Sequence, residues 1–143
     1  MLEPKDYPAR AEDAFNRRDL DALAALWSDD FHYEAPGTTT DGRAAALARE
    51  QAIFAAFPDV RAELACRLAS TDGLVLEGRF RGTHRGPLQL GAAEIAATGR
   101  AIDVPFAAVF EMRGGRATRE RVYYDRLALL QQLGLAPADG AVR

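Results

Sequence analysis

The segment RAIDVPFAAVFEMRGGRATRERVYY, residues 100–124, predicts two long strands joined in a hairpin. Before the Gly114–Gly115 pair, apolar side chains recur at every second position, which is the period of a half-buried strand. The two glycines supply the positive backbone dihedral angles that a tight turn requires. With the turn centred there, the numbers of opposed residues sum to about 230, which places Glu111 opposite Arg119.

This pairing gives the hairpin one charged face and one apolar face. The charged face carries Glu111 and Arg119 as a cross-strand ion pair, together with Arg121 and Tyr123. Glu120 lies on the other face, which holds the apolar side chains Phe106, Ala108, Phe110, Val122 and Tyr124. Because a slip of one residue exchanges the two faces, their clean separation supports the register. We expect the apolar face to meet helices, or to line a pocket beneath them.

The first part of the chain has the apolar spacing of three helices. The first is predicted at residues 7–17, and the second runs from an N-cap at Asp19 to about Trp27. The third covers residues 42–57 and ends before Pro58. Between the last two, FHYEA (31–35) is expected to be extended, and PGTTTDGR (36–43) is expected to be a loop of turn residues.

Strand periodicity then replaces helix periodicity. Residues 60–70 and 73–82 alternate as strands, and a closing helix is expected to stop at Gly134. The single cysteine, Cys66, falls on the apolar positions of the first of these strands, so we expect a small buried side chain. Helices followed by antiparallel strands indicate an α+β fold with the helices on one face of the sheet.

Composition limits the kinds of partner. The chain has 143 residues, which favours a single domain, and its net charge of −3 is spread over interspersed acids and bases. Nucleic acid is therefore not an expected partner, because phosphate binding needs a concentrated basic surface. We also expect no membrane association and a cytoplasmic location, since no apolar run reaches spanning length and one cysteine allows no internal disulfide. Neither metal-ligand spacing nor a nucleotide-binding motif is present, so no metal or cofactor is predicted.

An ordered set of short motifs resembles the SnoaL-like polyketide cyclase family. The motifs are FNRRDLDALAALWSDDFHYEAPG, FPDV, RGTHRGPL, TGRAIDVPF and GGRATRERVYYDRLALLQQLGL, and the resemblance covers about residues 10–135. It implies the cystatin-like fold that nuclear transport factor 2 and ketosteroid isomerase share. In that fold a curved antiparallel sheet wraps around three to four helices and forms a cone with an internal apolar pocket. The resemblance also implies a small apolar ligand and a homodimer.

The sequence departs from the catalytic patterns of these relatives. The general-base aspartate of ketosteroid isomerase would fall at Ala35, one position after Glu34, and its oxyanion tyrosine would fall near Ala11. The aspartate and histidine of characterised cyclases would fall near Val122 and Ala108. Both familiar pairs are therefore absent, and the fold alone does not fix the reaction.

Two histidines are candidate acid–base groups. His84, in RGTHRGPL, follows a strand at the sheet edge, where it lies at the pocket rim or instead holds a turn together. His32 and Glu34 share one face of FHYEA; they form either an acid–base pair in the pocket or a solvated pair outside it.

The last hairpin supplies further candidates. Glu120 on the apolar face is expected to have a raised pKa, which suits a general acid or base, unless it reaches water near the turn. Tyr124 either donates a hydrogen bond to a substrate oxygen or is a core tyrosine whose hydroxyl bonds within the protein. Arg81 either holds an anionic group at the rim or belongs to an exposed charged face. The apolar wall for a substrate is predicted to include Phe106, Phe110, Val122 and Trp27.

Asp125 has two interpretations. It directly precedes the last helix, where its carboxylate can accept backbone N–H groups as an N-cap. The family resemblance also places an acid here near the pocket mouth, so Asp125 is a catalytic candidate as well.

Three functions follow as hypotheses. The first is a cofactor-independent enzyme for aldol-type cyclisation, isomerisation or dehydration of an apolar carbonyl compound such as a polyketide. The second is a non-catalytic module for ligand binding or dimerisation. The third is an epoxide or lactone hydrolase, which would need Glu34, Glu120 and Asp125 around one water.

Overall fold

A computed structural model describes residues 1–137 of the chain. After a short 3-10 turn at Pro4–Asp6, its helices are α1 (Tyr7–Asn16), α2 (Leu20–Ala25), α3 (Arg43–Ala56) and α4 (Arg126–Gln132). Its strands are β1 (Trp27–Ala35), β2 (Thr38–Asp41), β3 (Arg61–Ala69), β4 (Gly73–Thr83), β5 (Leu88–Leu90), β6 (Ala93–Ile95), β7 (Ala101–Arg113) and β8 (Arg116–Tyr124). The α+β class predicted from the sequence is confirmed.

Six strands form one curved sheet in the order β2-β1-β8-β7-β4-β3, and β5 and β6 form a separate two-stranded ribbon. The sheet is mixed rather than wholly antiparallel as predicted, because β1 pairs with β8 in parallel. A tight turn forces β8 to run antiparallel to β7. No such turn joins β1 to β8, and the long chain between them allows either direction.

The predicted hairpin register is confirmed. Phe106 lies opposite Tyr124 and Glu111 lies opposite Arg119, as the sum of about 230 requires. Gly114 and Gly115 have φ angles of 60° and 78°. Both therefore adopt the left-handed backbone conformation, which glycine reaches without steric cost. A bulge after Glu111 shifts the last pairs before the turn by one position.

The concave face of the sheet and the helices enclose the core. The apolar face of the hairpin is buried there, including Phe106, Ala108, Phe110 and Val122. Aromatic rings join the layers: Phe15 of α1 packs 5.4 Å from Phe80 of β4, which in turn stacks 4.4 Å from Phe106 of β7. The prediction that this face meets the helices is therefore confirmed.

Local signals set the helix ends. Ala22 N–H donates to Asp19 Oδ1 over 2.9 Å, which confirms the predicted N-cap of α2. The α3 helix ends at Ala56, two residues before Pro58, and Gly134 follows α4 with a φ of 75°. Within residues 1–137, no helix combines the length and apolar character needed to cross a bilayer.

Two local predictions were wrong. Half of the predicted loop 36–43 forms β2, an edge strand that pairs with β1. Cys66 is exposed rather than buried, and Leu68 on the same strand is 71% exposed. The α1 helix covers only the first part of β3, where the Asn16 side chain exchanges two hydrogen bonds with the backbone of Ala62. Beyond that part β3 is an uncovered edge, so its apolar alternation does not produce burial.

Candidate functional site

A row of polar side chains crosses the concave face at one level of the sheet. Thr40 of β2 lies opposite Tyr33 of β1, and Tyr33 lies opposite Glu120 of β8. The row continues into the apolar Phe110 of β7. Residues paired in this way point to the same side of a sheet, so Glu120 lies between a tyrosine and a phenylalanine on the buried side.

Within this row, Glu120 is the residue best suited to gain and lose a proton near neutral pH. Burial raises its pKa to about 8; Glu50 adds to the rise and Arg49 opposes it. Its carboxyl group has no hydrogen-bond partner among the described residues, yet the residue keeps some accessible surface. At neutral pH the group is therefore mostly a carboxylic acid, which can donate a proton and take one back.

The α3 helix places a charged pair over this row. Arg49 Nη1 donates to Glu50 Oε1 over 2.9 Å, and the guanidinium carbon lies 3.8 Å from the centre of the Tyr33 ring. The two side chains are only 23% and 13% exposed. Burial also raises the pKa of Glu50, while Arg49 opposes the rise. One positive charge and two acids thus meet between α3 and the sheet.

Two buried tyrosines complete the surroundings of Glu120. Burial raises the pKa of Tyr33 and that of Tyr7, so both phenols stay protonated. The Tyr7 hydroxyl accepts a hydrogen bond from Trp27 Nε1 over 3.0 Å, and the Tyr7 ring lies 4.8 Å from the ring of Phe110. Trp27 is thereby fixed in the core, where it supports the site through Tyr7.

The predicted substrate wall is on the same face. Val122 and Phe106 are buried, and Tyr124 is half-buried opposite Phe106. Burial raises the pKa of the Tyr124 phenol, so it is a neutral hydrogen-bond donor. An apolar wall with a few polar groups is the usual composition of a small-molecule site.

His84 is fully buried rather than at an open rim. Its Nδ1 accepts the Thr98 N–H over 3.2 Å and lies 3.0 Å from Thr98 Oγ1. Because a backbone N–H can only donate, Nδ1 is the acceptor in the bond from Thr98. The ring also lies 5.4 Å from that of Phe57. This geometry matches the structural alternative, in which His84 holds the segment that leads into β7.

His32 and Glu34 lie on the outer face of the sheet. His32 Nε2 is 3.0 Å from Glu34 Oε1, and Arg119 Nη2 donates to the same oxygen over 2.6 Å. Asp41 bonds the other ring nitrogen of His32. The pair that sequence spacing suggested is thus formed, but in a solvent-facing network.

Arg81 and Asp125 also lie apart from Glu120. Arg81 is on the outer face, where it pairs with Glu63 and Asp103. This is the exposed charged face that the sequence offered as its alternative. Asp125 is exposed and caps α4, since Ala128 N–H donates to its Oδ1 over 3.0 Å.

Four residues near Glu120 were not predicted from the sequence, namely Tyr7, Tyr33, Arg49 and Glu50. A signal for the last two was present: they follow Ala46 by three and four positions and precede Ile53 by four and three. This is the spacing of one helix face. A charged pair inside the apolar stripe of a helix indicates a buried polar site.

Two surface grooves lie elsewhere. Both involve Met1, Leu2 and Glu3, with volumes of about 750 and 790 Å³, and the larger also contacts the β3–β4 and β7–β8 turns. Neither is lined by Glu120 or by the α3 pair, so they are not part of the candidate site.

Solved structures share this architecture. A protein assigned as a SnoaL-like polyketide cyclase from Jannaschia sp. CCS1 superimposes with a TM-score of 0.80 at 22% identity, covering 95% of this chain and 96% of that one. IdmH from Streptomyces antibioticus, proposed to be a polyketide cyclase, gives 0.75 at 28% identity, covering 92% and 98%. A ketosteroid isomerase-like protein from Catenulispora acidiphila, solved with trimethylamine, gives 0.74 at 22%, covering 96% and 98%.

The sequence itself also matches a family model. No curated protein matches the chain, but the model for SnoaL-like polyketide cyclases matches residues 6–133. That range runs from the start of α1 to the end of α4, so it contains the whole sheet and the Glu120 cluster. The chain belongs to the SnoaL-like polyketide cyclase family.

Proposed function

We propose that the protein catalyses proton transfer next to a carbonyl group of an apolar small molecule, in an aldol-type cyclisation, isomerisation or dehydration. Glu120 is the proposed acid–base residue. The supporting observation is its position: a carboxyl group without a hydrogen-bond partner in the described chain, on an apolar wall, with a pKa of about 8. An acid whose pKa lies near the working pH transfers protons efficiently in both directions.

The proposed chemistry needs only this chain. The ionised form of Glu120 takes a proton from the carbon next to the substrate carbonyl, and the C–H electron pair moves to form an enolate. In a cyclisation, the enolate carbon then bonds to a second carbonyl carbon of the same molecule. The Glu120 proton passes to the resulting alkoxide oxygen, which restores the carboxylate. The neutral phenol of Tyr124 is proposed to donate a hydrogen bond to a substrate oxygen.

The pH dependence follows from the same group. With a pKa of about 8, the base form of Glu120 is a minor fraction at neutral pH, reaches about half at that pKa and is nearly complete about one to two pH units above it. We therefore expect a rate limited by proton abstraction to rise with pH over this range and then to level off.

Deuterium exchange tests the proposal without knowledge of the natural substrate. A panel of aryl ketones and β-dicarbonyls, including 2-tetralone, is incubated in D₂O, and loss of the proton signal next to the carbonyl is followed by NMR. We expect the wild type to exchange at least one compound about 10²–10⁴ times faster than Glu120→Gln, the usual contribution of a general acid–base group. Glu34→Gln, on the outer face, is the matched control and keeps the wild-type rate. Equal rates for wild type and Glu120→Gln across the panel would refute the proposal.

Ligand binding without catalysis is the second candidate, and a specific observation favours it. The positions of the familiar cyclase pair are occupied by Val122 and Ala108, both buried in the apolar wall. A panel that binds but does not exchange would establish this function. The hydrolase hypothesis has no such support, since Glu34 and Asp125 lie away from Glu120.

The proposed assembly and location rest on the family resemblance and the composition. We propose a cytoplasmic homodimer, and light scattering after size-exclusion chromatography measures the assembly directly.

A further inference from the structure

We infer that the site takes its ligand as an anion: an apolar molecule with one ionised oxygen, held by the Arg49 guanidinium beneath α3. The ligand class is an aromatic or polyketide-like carboxylate, phenolate or enolate. This inference deepens the proposed function, since it concerns the ligand of the same site.

The first argument is the unused donor capacity of Arg49. A guanidinium presents five N–H donors in a fixed fork; within residues 1–137 the Nη1 of Arg49 donates to Glu50, and a further hydrogen bond goes to the Tyr33 hydroxyl. The side chain is 23% exposed although it stacks on the buried Tyr33 ring. The remaining donors are therefore available to a ligand. The ring fixes the plane of the guanidinium in advance, which reduces the entropy that binding costs.

The second argument is the charge balance around Glu120. Arg49 and Glu50 face it from α3 and cancel each other, while Tyr33 from β1 and Tyr7 from α1 face it as neutral phenols. With Glu120 protonated, the cluster has no net charge, so no net negative charge repels an anion. The Glu120 O–H becomes a second donor to the anion beside the guanidinium.

The third argument comes from two buried atoms that lack partners in the described residues, Glu50 Oε2 and Thr40 Oγ1. A buried polar atom without a hydrogen bond is costly, so such atoms indicate a place for water or a polar ligand group. Thr40 belongs to the same row as Tyr33 and Glu120. The Glu50 oxygen can only accept, so it calls for a hydroxyl or water donor, whereas the Thr40 hydroxyl can donate to a ligand oxygen. The ligand that fits is thus oxygenated rather than a plain hydrocarbon.

Calorimetry with a matched pair of probes tests the inference. 2-Naphthoate and 2-naphthamide have nearly the same shape, but only the first is an anion. At about pH 6.5 we expect the wild type to bind 2-naphthoate about tenfold or more tightly than 2-naphthamide, the gain typical of one charge-assisted hydrogen bond. In Arg49→Gln the two probes should bind with nearly equal affinity, and Arg49→Lys should keep part of the preference for 2-naphthoate. Arg81→Gln, which removes an outer arginine, is the matched control and should leave the ratio unchanged.

The pH adds an independent measurement on the wild type alone. The 2-naphthoate stays ionised from about pH 6 upward, whereas Glu120 loses its proton around its pKa of about 8. We expect the affinity for 2-naphthoate to fall as the pH rises through that value, and we expect Glu120→Gln to abolish the fall. The affinity for 2-naphthamide should change little.

The inference is overturned if the wild type shows no preference for the anion, or if the preference survives in Arg49→Gln. An equal loss in Arg81→Gln also overturns it, because binding then lies on the outer face. Failure of the proposed function looks different: deuterium exchange is then absent while wild type and Glu120→Gln still prefer 2-naphthoate. Exchange without anion preference refutes the anion inference and supports the proposed proton transfer.

Discussion

Two glutamates on neighbouring strands differ in nearly every property that matters for chemistry. Glu120 of β8 lies beside Tyr33 on the inner face, and Glu34 is the next residue of β1, on the outer face. Burial raises the pKa of Glu120 to about 8, whereas the hydrogen bond from Arg119 holds the pKa of Glu34 below its ordinary value. The two groups have the same structure, so the difference comes from the face of the sheet alone.

The comparison explains why one acid is suited to proton transfer and the other to structure. On the outer face, water and the Arg119 charge keep Glu34 ionised, and its oxygens are used in hydrogen bonds. On the inner face, Glu120 has no such partner in the described chain and keeps its proton near neutral pH. A catalytic acid needs this unused, adjustable state, and a surface ion pair contributes little to stability.

The largest expected effect on stability distinguishes the faces directly. Phe110 is 5% exposed and contacts Tyr7, so Phe110→Ala is expected to lower the free energy of unfolding by about 3–5 kcal/mol. Glu111→Ala, one residue along on the outer face, removes ion pairs with Arg119 and Arg121 and should cost about 1 kcal/mol or less. Urea denaturation measures both. Equal losses would show that the two faces are not distinct.

A smaller effect appears in the pH dependence of stability. Between its ordinary pKa of 4.5 and about 8, Glu120 holds a proton in the folded state that the unfolded state has released. Stability therefore falls as the pH rises through this window. Glu120→Gln removes the fall, so the variant should gain on the order of 2–4 kcal/mol relative to the wild type between about pH 5 and pH 8.

Glu34→Gln should show the opposite sign. The pKa of Glu34 is lowered in the folded state, so its contribution exists above its ordinary pKa and is lost as the pH falls through the folded value. The variant is therefore expected to be less stable than the wild type at neutral pH and to approach it in acid. Thermal melts of both variants at several pH values show whether each variant gains or loses stability relative to the wild type as the pH rises. If the stability difference from the wild type changes with pH in the same direction in both variants, the assignment of the two glutamates to opposite faces is contradicted.

The smallest expected effect concerns Asp125, which lies outside the interior cluster. As the N-cap of α4 it is expected to tolerate Asn with little change, while Asp125→Ala should lower stability by about 1 kcal/mol. Neither change should alter deuterium exchange. If Asp125→Asn keeps its stability but loses exchange, Asp125 is catalytic and the inner face does not hold the whole site.

Local sequence signals predicted the hairpin because its pairing is local. The Gly114–Gly115 turn fixes which residues oppose each other. A shift of the strand register by one residue would expose Phe106, Phe110 and Val122, so their burial excludes it. The same information placed Glu120 on the inner face and predicted a raised pKa. The helix caps at Asp19 and Asp125 were predictable for the same reason, since the carboxylate and the N–H that it accepts are three residues apart.

Features that depend on distant parts of the chain were not predictable in this way. The parallel pairing of β1 with β8 joins Tyr33 to Glu120 across more than half of the chain, and no turn specifies it. Cys66 carries a burial pattern, but whether a helix covers that end of β3 depends on the length and position of α1. The placement of Arg49 over Tyr33 likewise depends on how α3 crosses the sheet.

The sequence by itself therefore determined the α+β class, the hairpin register, the helix caps and the face on which each hairpin residue lies. These follow from periodicity and from interactions over a few residues. Only the tertiary structure decided which polar groups meet. It buried His84, placed His32 and Glu34 outside, and brought Arg49 and Glu50 from α3 to Glu120. The reason is physical: a pKa and a binding site depend on the sum of all neighbouring charges and on water access, and both are set by contacts between segments far apart in the chain.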